Sequence, residues 1–295
     1  MSVSADPGSS SSEISAKSLT LAEAIANLKQ TEEPDLRYYA AWWLGRFRVN
    51  QPEVIELLIE ALSDQDNRSP DGGYPLRRNA ARALGKLGDR RAIAPLLDCL
   101  CCDDYYVRGA ATESLGELGD PTVIEPLLEL LAGGVAAATM MPGKPHLFQP
   151  YDLILEALGS LGATVAIAQI EPFLGHFSEK VQYAAARSLY QLTLRPEYGE
   201  ILVRALGASD LQLRRAALMD IGAVGYMPGA EAIAATLAEN SLKLIALRGL
   251  LETHLKERWD ERKFGQSFSP EQPFSLEQPF SPEAIRAMDL MDSLL

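Results

Sequence analysis

Residues that bind metals or form disulfide frameworks are scarce in this chain. Among its 295 residues there are three cysteines and three histidines. Cys99, Cys101 and Cys102 are clustered and odd in number, and the histidines are widely separated along the chain. The sequence therefore predicts no disulfide framework and no metal site, and a reducing cytosol is the expected compartment.

Long apolar runs are also missing. Residues 127–141 are the best candidate for a membrane span, but Glu129 and a pair of glycines interrupt them well short of the roughly 20 residues needed. The Ser-rich residues 1–18 contain no apolar stretch of the kind found in secretory signals. We therefore expect a soluble, cytoplasmic protein with no membrane span, in which residues 1–18 are disordered.

Motifs for phosphate binding and for nucleophilic catalysis are absent as well. The sequence has no P-loop, no G-x-G-x-x-G after a strand pattern and no G-x-S-x-G. Its formal net charge of −13 argues against a nucleic-acid partner, because phosphate groups would be repelled. Catalytic residues are unknown from the sequence, and an enzyme of this kind would act mainly by holding its reactants in place.

The sequence does contain a repeat. A ten-residue pattern begins with an apolar residue, often continues with Arg, has small residues in the middle and ends in Leu-Gly. It recurs about every 31 residues, with two longer intervals, in copies such as LRYYAAWWLG, LRRNAARALG and VRGAATESLG. The seven copies alternate with a second apolar helix such as EVIELLIEAL. This alternation predicts an all-α fold, a right-handed α-solenoid of HEAT-like or armadillo-like repeats with about seven helical pairs.

The solenoid is expected to span residues 19–257. Residues 258–283, with the repeated motif FSPEQP/FSLEQP, are predicted to form a linker rich in Pro, Ser and Phe. Residues 284–295 are predicted to form a short helix that either binds a partner or is loosely attached. The segments 64–75 and 133–149 are insertions that should leave the solenoid at one edge, either as tolerated surface loops or as the rim of a site.

Comparing the seven copies separates scaffold from surface. Positions one, five and nine are apolar or small and should pack between helices. The basic residues at position two, such as Arg37, Arg108 and Arg214, are expected to tie neighbouring repeats together through ladders of Asp-Arg ion pairs. Positions three and seven are mostly charged and lie one helical turn apart, which places them on the solvent-facing, concave side.

Two tryptophans in the first copy depart from this pattern. Trp42 occupies a position that is charged in most other copies and follows Tyr38 by four residues, so we interpret it as part of a binding surface. Trp43 falls in a column of small residues near the packed face, and we interpret it as core or cap filling. The alternative for Trp42 is core or cap filling, and the alternative for Trp43 is a part in the binding surface.

Two of these segments carry a resemblance to a known family. LRYYAAWWLGRFRVNQPEVIELLIEAL and GGYPLRRNAARALGKLGDRRAIAPLL are similar to the E subunits of the E/F-type phycobilin lyases, in particular those acting on the phycocyanin α subunit. The resemblance covers roughly residues 19–257. It implies a heterodimer with an F-type subunit that attaches phycocyanobilin to a cysteine of apo-phycocyanin α by a thioether bond, in the cyanobacterial cytosol. It also implies that the bilin is a substrate, with no tightly bound cofactor, and it supplies no catalytic residue.

The resemblance also directs attention to particular side chains. A bilin is a long, flat tetrapyrrole with two propionates, which suits aromatic walls and guanidinium partners. Asp152 or Glu156 is expected to pair with protonated pyrrole nitrogens, and Tyr74 and His146 are expected on the nearby rim loops. The candidate bilin-binding residues are Tyr38, Trp42, Tyr74, Arg78, Arg82, His146, Asp152 and Glu156.

The competing hypothesis is a non-enzymatic HEAT-repeat scaffold or adaptor that binds phycobiliproteins during phycobilisome assembly or degradation. In that case the exposed stripe of positions three and seven contacts protein and not pigment. Uptake of phycocyanobilin by the chain with its partner separates the two hypotheses. The sequence leaves open which bilin and which phycobiliprotein subunit are used.

Overall fold

The computed structural model describes residues 19–264 and 280–295, and its helices lie in two rows. The inner row consists of α2 (Pro34–Arg46), α4 (Pro75–Leu87), α6 (Tyr105–Leu118), α9 (Tyr151–Ser160), α11 (Glu179–Thr193), α13 (Leu211–Val224) and α15 (Asn240–Phe264). The outer row consists of α1 (Leu21–Lys29), α3 (Pro52–Ala61), α5 (Ile93–Cys99), α7 (Ile124–Glu129), α10 (Ile167–Ile170), α12 (Pro196–Ala205) and α14 (Ala230–Ala235). Two helices belong to neither row, α8 (Gly134–Ala137) and α16 (Pro282–Leu294).

Each outer helix precedes an inner helix, and successive inner helices pack side by side along the row. This arrangement confirms the predicted α-solenoid with seven helical pairs. Within the described ranges, β structure is limited to an isolated bridge between Met140 and Leu147. No helix in the same ranges is long and apolar enough to cross a membrane.

Short-range sequence signals determine where the helices begin and end. Proline starts α2, α3 and α4, where its missing N–H costs no helical hydrogen bond. Asp104 caps α6 by accepting the backbone N–H of Tyr106 at 2.7 Å. Gly88 and Gly119 end α4 and α6 at φ angles of 72° and 68°, the left-handed conformation that their Leu-Gly-Asp sequences predict.

Small residues allow the inner helices to approach one another closely. A Cβ atom on Gly45 of α2 would lie 2.7 Å from the Cα of Ala83 on α4. One step along the row, the Ser114 hydroxyl of α6 donates to the Ala81 carbonyl of α4 at 2.8 Å. Ala83 and Ser114 belong to the same column as Trp43, the column of small residues near the packed face, and α2, α4 and α6 share one continuous core.

The basic residues at position two act differently from the prediction. Arg37 does pair with a carboxylate, that of Asp64, at 2.5 Å. Arg108 and Arg214 instead donate to backbone carbonyls that follow the preceding outer helix, such as the Cys102 oxygen at 2.7 Å and the Ala208 oxygen at 2.6 Å. The predicted ladder of Asp-Arg pairs is therefore wrong at these positions, because a guanidinium satisfies carbonyls that a helix C-terminus leaves unpaired.

The two insertions meet at the same edge, as predicted. The backbone N–H of Tyr74, in the first insertion, donates to the Asp104 carboxylate at 2.7 Å. Arg108 holds the second insertion by donating to the Phe148 carbonyl at 2.7 Å and the Gln149 side chain at 2.9 Å. Asp104 and Arg108 both belong to the start of α6, so this helix end anchors both loops.

The C-terminal boundaries differ from those predicted. The linker does not begin at residue 258, because α15 continues to Phe264. The last helix begins at Pro282 and not at residue 284, because the Ser281 hydroxyl caps it by accepting the Ala284 N–H at 3.2 Å. Leu290 is buried against the last repeat, so α16 packs on α14 and α15 and covers the end of the solenoid. Residues 1–18 lie outside the described residues, as does most of the predicted linker.

Candidate functional site

A pocket of about 260 Å³ opens on the exposed side of the inner row, between α2, α4 and α6. We call this side the inner face and the cavity the Trp42 pocket. The buried residues Gly45, Ala83 and Ser114 form its floor, where the helices pack closely through small side chains. Its remaining lining residues are Trp42, Asn79, Arg82, Lys86, Glu113 and Glu117.

The ring of Trp42 forms one wall of the Trp42 pocket. Trp42 is 44% exposed, which confirms the expected exposure, and its ring stacks on Tyr39 with centroids 5.4 Å apart. The prediction that Tyr38 stacks beside Trp42 is wrong. Tyr38 is half-buried against the core, and its carbonyl accepts a hydrogen bond from Asn79 at 2.9 Å. Residues three and four apart are both neighbours on a helix, and burial of Tyr38 leaves Tyr39 as the solvent-side neighbour. Trp43 packs against the core, as interpreted from its column.

Four charged side chains surround the mouth of the Trp42 pocket. The Arg82 Nε atom lies 3.4 Å from the Glu113 carboxylate, and both side chains are nearly half exposed. Lys86 and Glu117 follow one helical turn later on the same helices. Burial raises the pKa of Glu117, and the charge of Glu113 adds to the shift. Two cations and two carboxylates in partial contact with water can therefore exchange their partners for a charged ligand.

Sequence reasoning placed Trp42 and Arg82 in the site but missed Lys86 and Glu117. The signal that could have found them is the column itself, since each lies four residues after a position-seven residue. The ten-residue repeat pattern ends before this turn, so Lys86 and Glu117 were not compared between the copies.

Arg78 and Tyr74 lie outside the Trp42 pocket. Arg78 is half-buried, and its Nε atom is buried with no hydrogen-bond partner among the described residues. The Tyr74 ring lies under two guanidinium groups, those of Arg68 and Arg77, at 3.8 and 4.0 Å from the ring centroid. The Tyr74 ring is thus covered by two cations of the protein itself. Arg82 lines the Trp42 pocket and Arg78 does not, so the two arginines do not bind a ligand there as a pair.

His146 stands in a separate aromatic cluster at the rim. Its ring stacks on Tyr105 at 4.1 Å between centroids, and Tyr106 meets it edge-on at 6.1 Å. Its Nδ1 atom donates to the Leu147 carbonyl at 2.8 Å, which orients the ring. Burial raises the pKa of Tyr105 to about 12, with the charge of Asp152 adding to the shift. The sequence analysis predicted the rim position of His146 but not its tyrosine partners.

Asp152 and Glu156 belong to a second charged group farther along the inner row. We define the acid cluster as Asp152 and Glu156 of α9, Lys180 and Arg187 of α11, and Asp220 of α13. The Lys180 ammonium lies 2.5 Å from Asp152. The Arg187 Nη1 atom lies 2.9 Å from Asp220 and 3.2 Å from Glu156.

The acid cluster perturbs its carboxyl groups. Burial raises the pKa of Glu156 from 4.5 to about 7; Asp220 and Asp152 also raise it, and Arg187 opposes the shift. Burial likewise raises the pKa of Asp220, against the opposing charge of Arg187. Two of the eight predicted residues therefore lie in a site whose protonation can change near neutral pH.

Two other kinds of reactive group, metal-binding clusters and the buried thiol of Cys99, bear on the choice of site. No group of three or more metal-binding side chains occurs in the part of the chain that the structure describes. Burial raises the pKa of the Cys99 thiol to about 12, which keeps it protonated and unreactive.

Comparisons with known proteins place these features in a family. A family model for HEAT repeats matches residues 68–138, and a model for the PBS lyase HEAT-like repeat matches residues 36–64. The phycocyanobilin lyase subunit alpha of Synechocystis is 57% identical over 276 residues, which cover 94% of this chain and 96% of the relative. The protein of the same name from Pseudanabaena tenuis is 62% identical over 240 residues, covering 80% of this chain and 87% of the relative.

A solved structure agrees with these matches. One chain in the complex of CpcE and CpcF of phycocyanin lyase from Nostoc is 51% identical, with a TM-score of 0.81 and full coverage of both chains. The matched length includes the helices that form the Trp42 pocket and the acid cluster. The chain therefore belongs to the HEAT-repeat family of phycocyanobilin lyase α subunits.

Proposed function

We propose that this chain is one subunit of a heterodimeric lyase that attaches phycocyanobilin, through a thioether bond, to a cysteine of the phycocyanin α subunit. The names of its relatives support the pigment and the reaction class, and the Nostoc complex of CpcE and CpcF supports an F-type partner. The bilin is a substrate, with no tightly bound cofactor, and the reaction takes place in the cytosol of a cyanobacterium.

The Trp42 pocket is the part of the chain best suited to hold the pigment. The single observation that carries this assignment is a stacked, half-exposed aromatic pair, Tyr39 and Trp42, beside two cations at a cavity mouth. A flat conjugated ring gains from stacking on such a wall. Arg82 and Lys86 suit the two propionates as charged hydrogen-bond donors.

The size of the pocket indicates how the pigment lies. Its volume of about 260 Å³ is below the roughly 300–1,000 Å³ typical of sites that enclose a drug-sized ligand. A tetrapyrrole therefore places only part of its length in the pocket and extends along the inner face. In that direction lie Glu113 and then the acid cluster.

The predicted rim residues receive a different role. The rings of Tyr74 and His146 already contact protein groups, so we assign them to holding the two insertions and not to stacking on pigment. Tyr106 is 47% exposed on the same edge and is free to contact the phycobiliprotein or the F-type subunit.

Co-expression tests the proposed reaction directly. The full chain, an F-type subunit, apo-phycocyanin α and the enzymes of phycocyanobilin synthesis are produced together, and zinc fluorescence on a denaturing gel reports covalent pigment. A fluorescent phycocyanin α band that needs both subunits supports the lyase. Equal attachment without this chain would contradict it, and pigment-free binding to phycocyanin would favour the scaffold.

Replacing Trp42 tests the position of the pigment. We expect Trp42→Ala to weaken phycocyanobilin uptake by the heterodimer about fivefold, because the loss of one aromatic stack costs about 1 kcal/mol. Phe177→Ala is the matched control, since Phe177 is an exposed aromatic residue outside the pocket. Absorbance titration of the noncovalent complex measures both. Equal uptake by the two variants would move the pigment away from the Trp42 pocket.

A further inference from the structure

The acid cluster contains more carboxylates than cations. Asp152, Glu156 and Asp220 are three acids, and Lys180 and Arg187 are the two bases that pair with them. If all five groups were ionised, the cluster would carry one uncompensated negative charge. In a partly buried setting such a charge is costly, and one proton shared with the cluster removes it.

The geometry indicates which acid takes the proton. Asp152 has the Lys180 ammonium at 2.5 Å, and Asp220 has Arg187 at 2.9 Å. Glu156 has only the longer contact of 3.2 Å, to the same Arg187 nitrogen that serves Asp220. Of the three acids, Glu156 therefore has the longest ion-pair contact, and it shares its cation with Asp220.

Glu156 also has access to the inner face. Its side chain is 29% exposed, against 3% for Asp152 and 12% for Asp220. It occupies position seven of its repeat, the column that holds Trp42 and Arg82 in the first two copies. The charged groups that surround it are Asp152 on its own helix, Lys180 and Arg187 on α11, and Asp220 on α13. On the other side of α9, Glu113 of α6 acts on Lys180 and is paired with Arg82.

We propose that Glu156 is the proton donor to the bilin during thioether formation, acting as a neutral carboxylic acid on the inner face. This role rests on the proposed function, since it requires the pigment to extend from the Trp42 pocket to the acid cluster. Glu156 has a pKa of about 7 through burial, so its acid form is well populated at neutral pH and can be regenerated.

The chemistry of the step balances with one proton. A thioether that forms without a leaving group or an oxidant arises by addition of S–H across a carbon–carbon double bond of the pigment. The sulfur–carbon bond forms, the π bond breaks, and the neighbouring conjugated system gains a proton from Glu156. The thiol proton returns to the Glu156 carboxylate, and nothing is oxidised or reduced.

Glu156→Gln in the full heterodimer tests this role. The amide keeps the size and the neutral state of the acid but cannot transfer a proton. We expect pigment uptake within about twofold of wild type and attachment to apo-phycocyanin α slowed roughly 100-fold, the usual size of a general-acid contribution. Wild-type attachment should decline above pH 7 as the acid form is lost, and this decline should be absent in the variant. Glu125→Gln, on outer helix α7, is the matched control and should behave as wild type.

The outcomes separate this role from the proposed function. Attachment by Glu156→Gln at the wild-type rate, with the wild-type pH profile, would overturn the role of Glu156 and leave the lyase assignment intact. A wild-type heterodimer that binds no pigment would overturn both. Loss of pigment uptake in the variant would show a binding role and would also overturn proton donation.

Infrared spectroscopy supplies a readout that does not depend on activity. In the wild-type chain near pH 6, a protonated carboxylic acid should give a carbonyl stretching band that disappears as the pH rises above 7. The band should be missing from Glu156→Gln and present in Glu125→Gln. A spectrum of Glu156→Gln that keeps the band would assign the proton to another acid and overturn the proposal.

Discussion

The Trp42 pocket and the acid cluster both contain position-seven residues of the repeat and differ in how their charges are arranged. At the pocket, Arg82 and Glu113 are nearly half exposed and 3.4 Å apart. At the cluster, Arg187 is 20% exposed and serves two carboxylates through one nitrogen. The first arrangement leaves charges free to rearrange around a ligand, while the second commits them to each other.

This difference shows that position seven of the repeat does not by itself determine the function of the residue that occupies it. In the first repeat, Trp42 at position seven stacks on Tyr39 beside a pocket with small residues at its floor, so space remains for a ligand. In the fourth repeat, Asp152 and Glu156 occupy positions three and seven, and they pair with the basic side chains of α11. A repeat protein can thus build a binding pocket and a titrating cluster on one continuous surface.

Removing the two arginines should give the largest contrast between the regions. Arg187→Met is expected to destabilise the chain by roughly 3–5 kcal/mol, because it leaves the partly buried Asp220 carboxylate, and Glu156 wherever it is ionised, without this cation. Arg82→Met should cost less than about 1 kcal/mol, as is usual for an exposed ion pair. Urea unfolding of the purified full chain measures both. Similar losses for the two variants would mean that the regions do not differ as described.

The floor of the pocket should respond to a single added carbon. Gly45→Ala places a Cβ 2.7 Å from the Ala83 backbone, and we expect a loss of about 2 kcal/mol from overpacking. Gly175→Ala is the control, because no atom lies within 4 Å of a Cβ at that residue. Thermal unfolding compares the two. A neutral Gly45→Ala would show that α2 and α4 can separate without cost.

The acid cluster should also affect stability as the pH changes. The pKa of Glu156 is higher in the folded chain, about 7, than its ordinary value of 4.5, so the folded state holds the proton more tightly. Its contribution is fully present below pH 4.5 and is lost as the pH rises to about 7. Glu156→Gln should therefore match wild type at pH 4 and be more stable at pH 8, by about 1 kcal/mol after allowance for solvent. Unfolding at the two pH values measures this, and a difference that is equal at both would contradict it.

Much of the fold was predictable because its determinants are local. Proline at helix starts, Asp at N-caps, and Gly88 and Gly119 at helix ends act within a few residues of themselves. The predictions failed where a side chain had a choice of partners. Arg108 binds carbonyls and not an aspartate, and Tyr39 replaces Tyr38 beside Trp42.

The sequence by itself determined the seven-fold solenoid, the exposure of Trp42 and the packing of Trp43 against the core, because helical periodicity places each residue on a face. The tertiary structure decided what those faces do. Whether a cavity remains beside Trp42, and whether Glu156 keeps a proton, depends on the distances between side chains of three different helices. Those distances arise from how closely the helices pack, and a sequence pattern along one helix does not contain them.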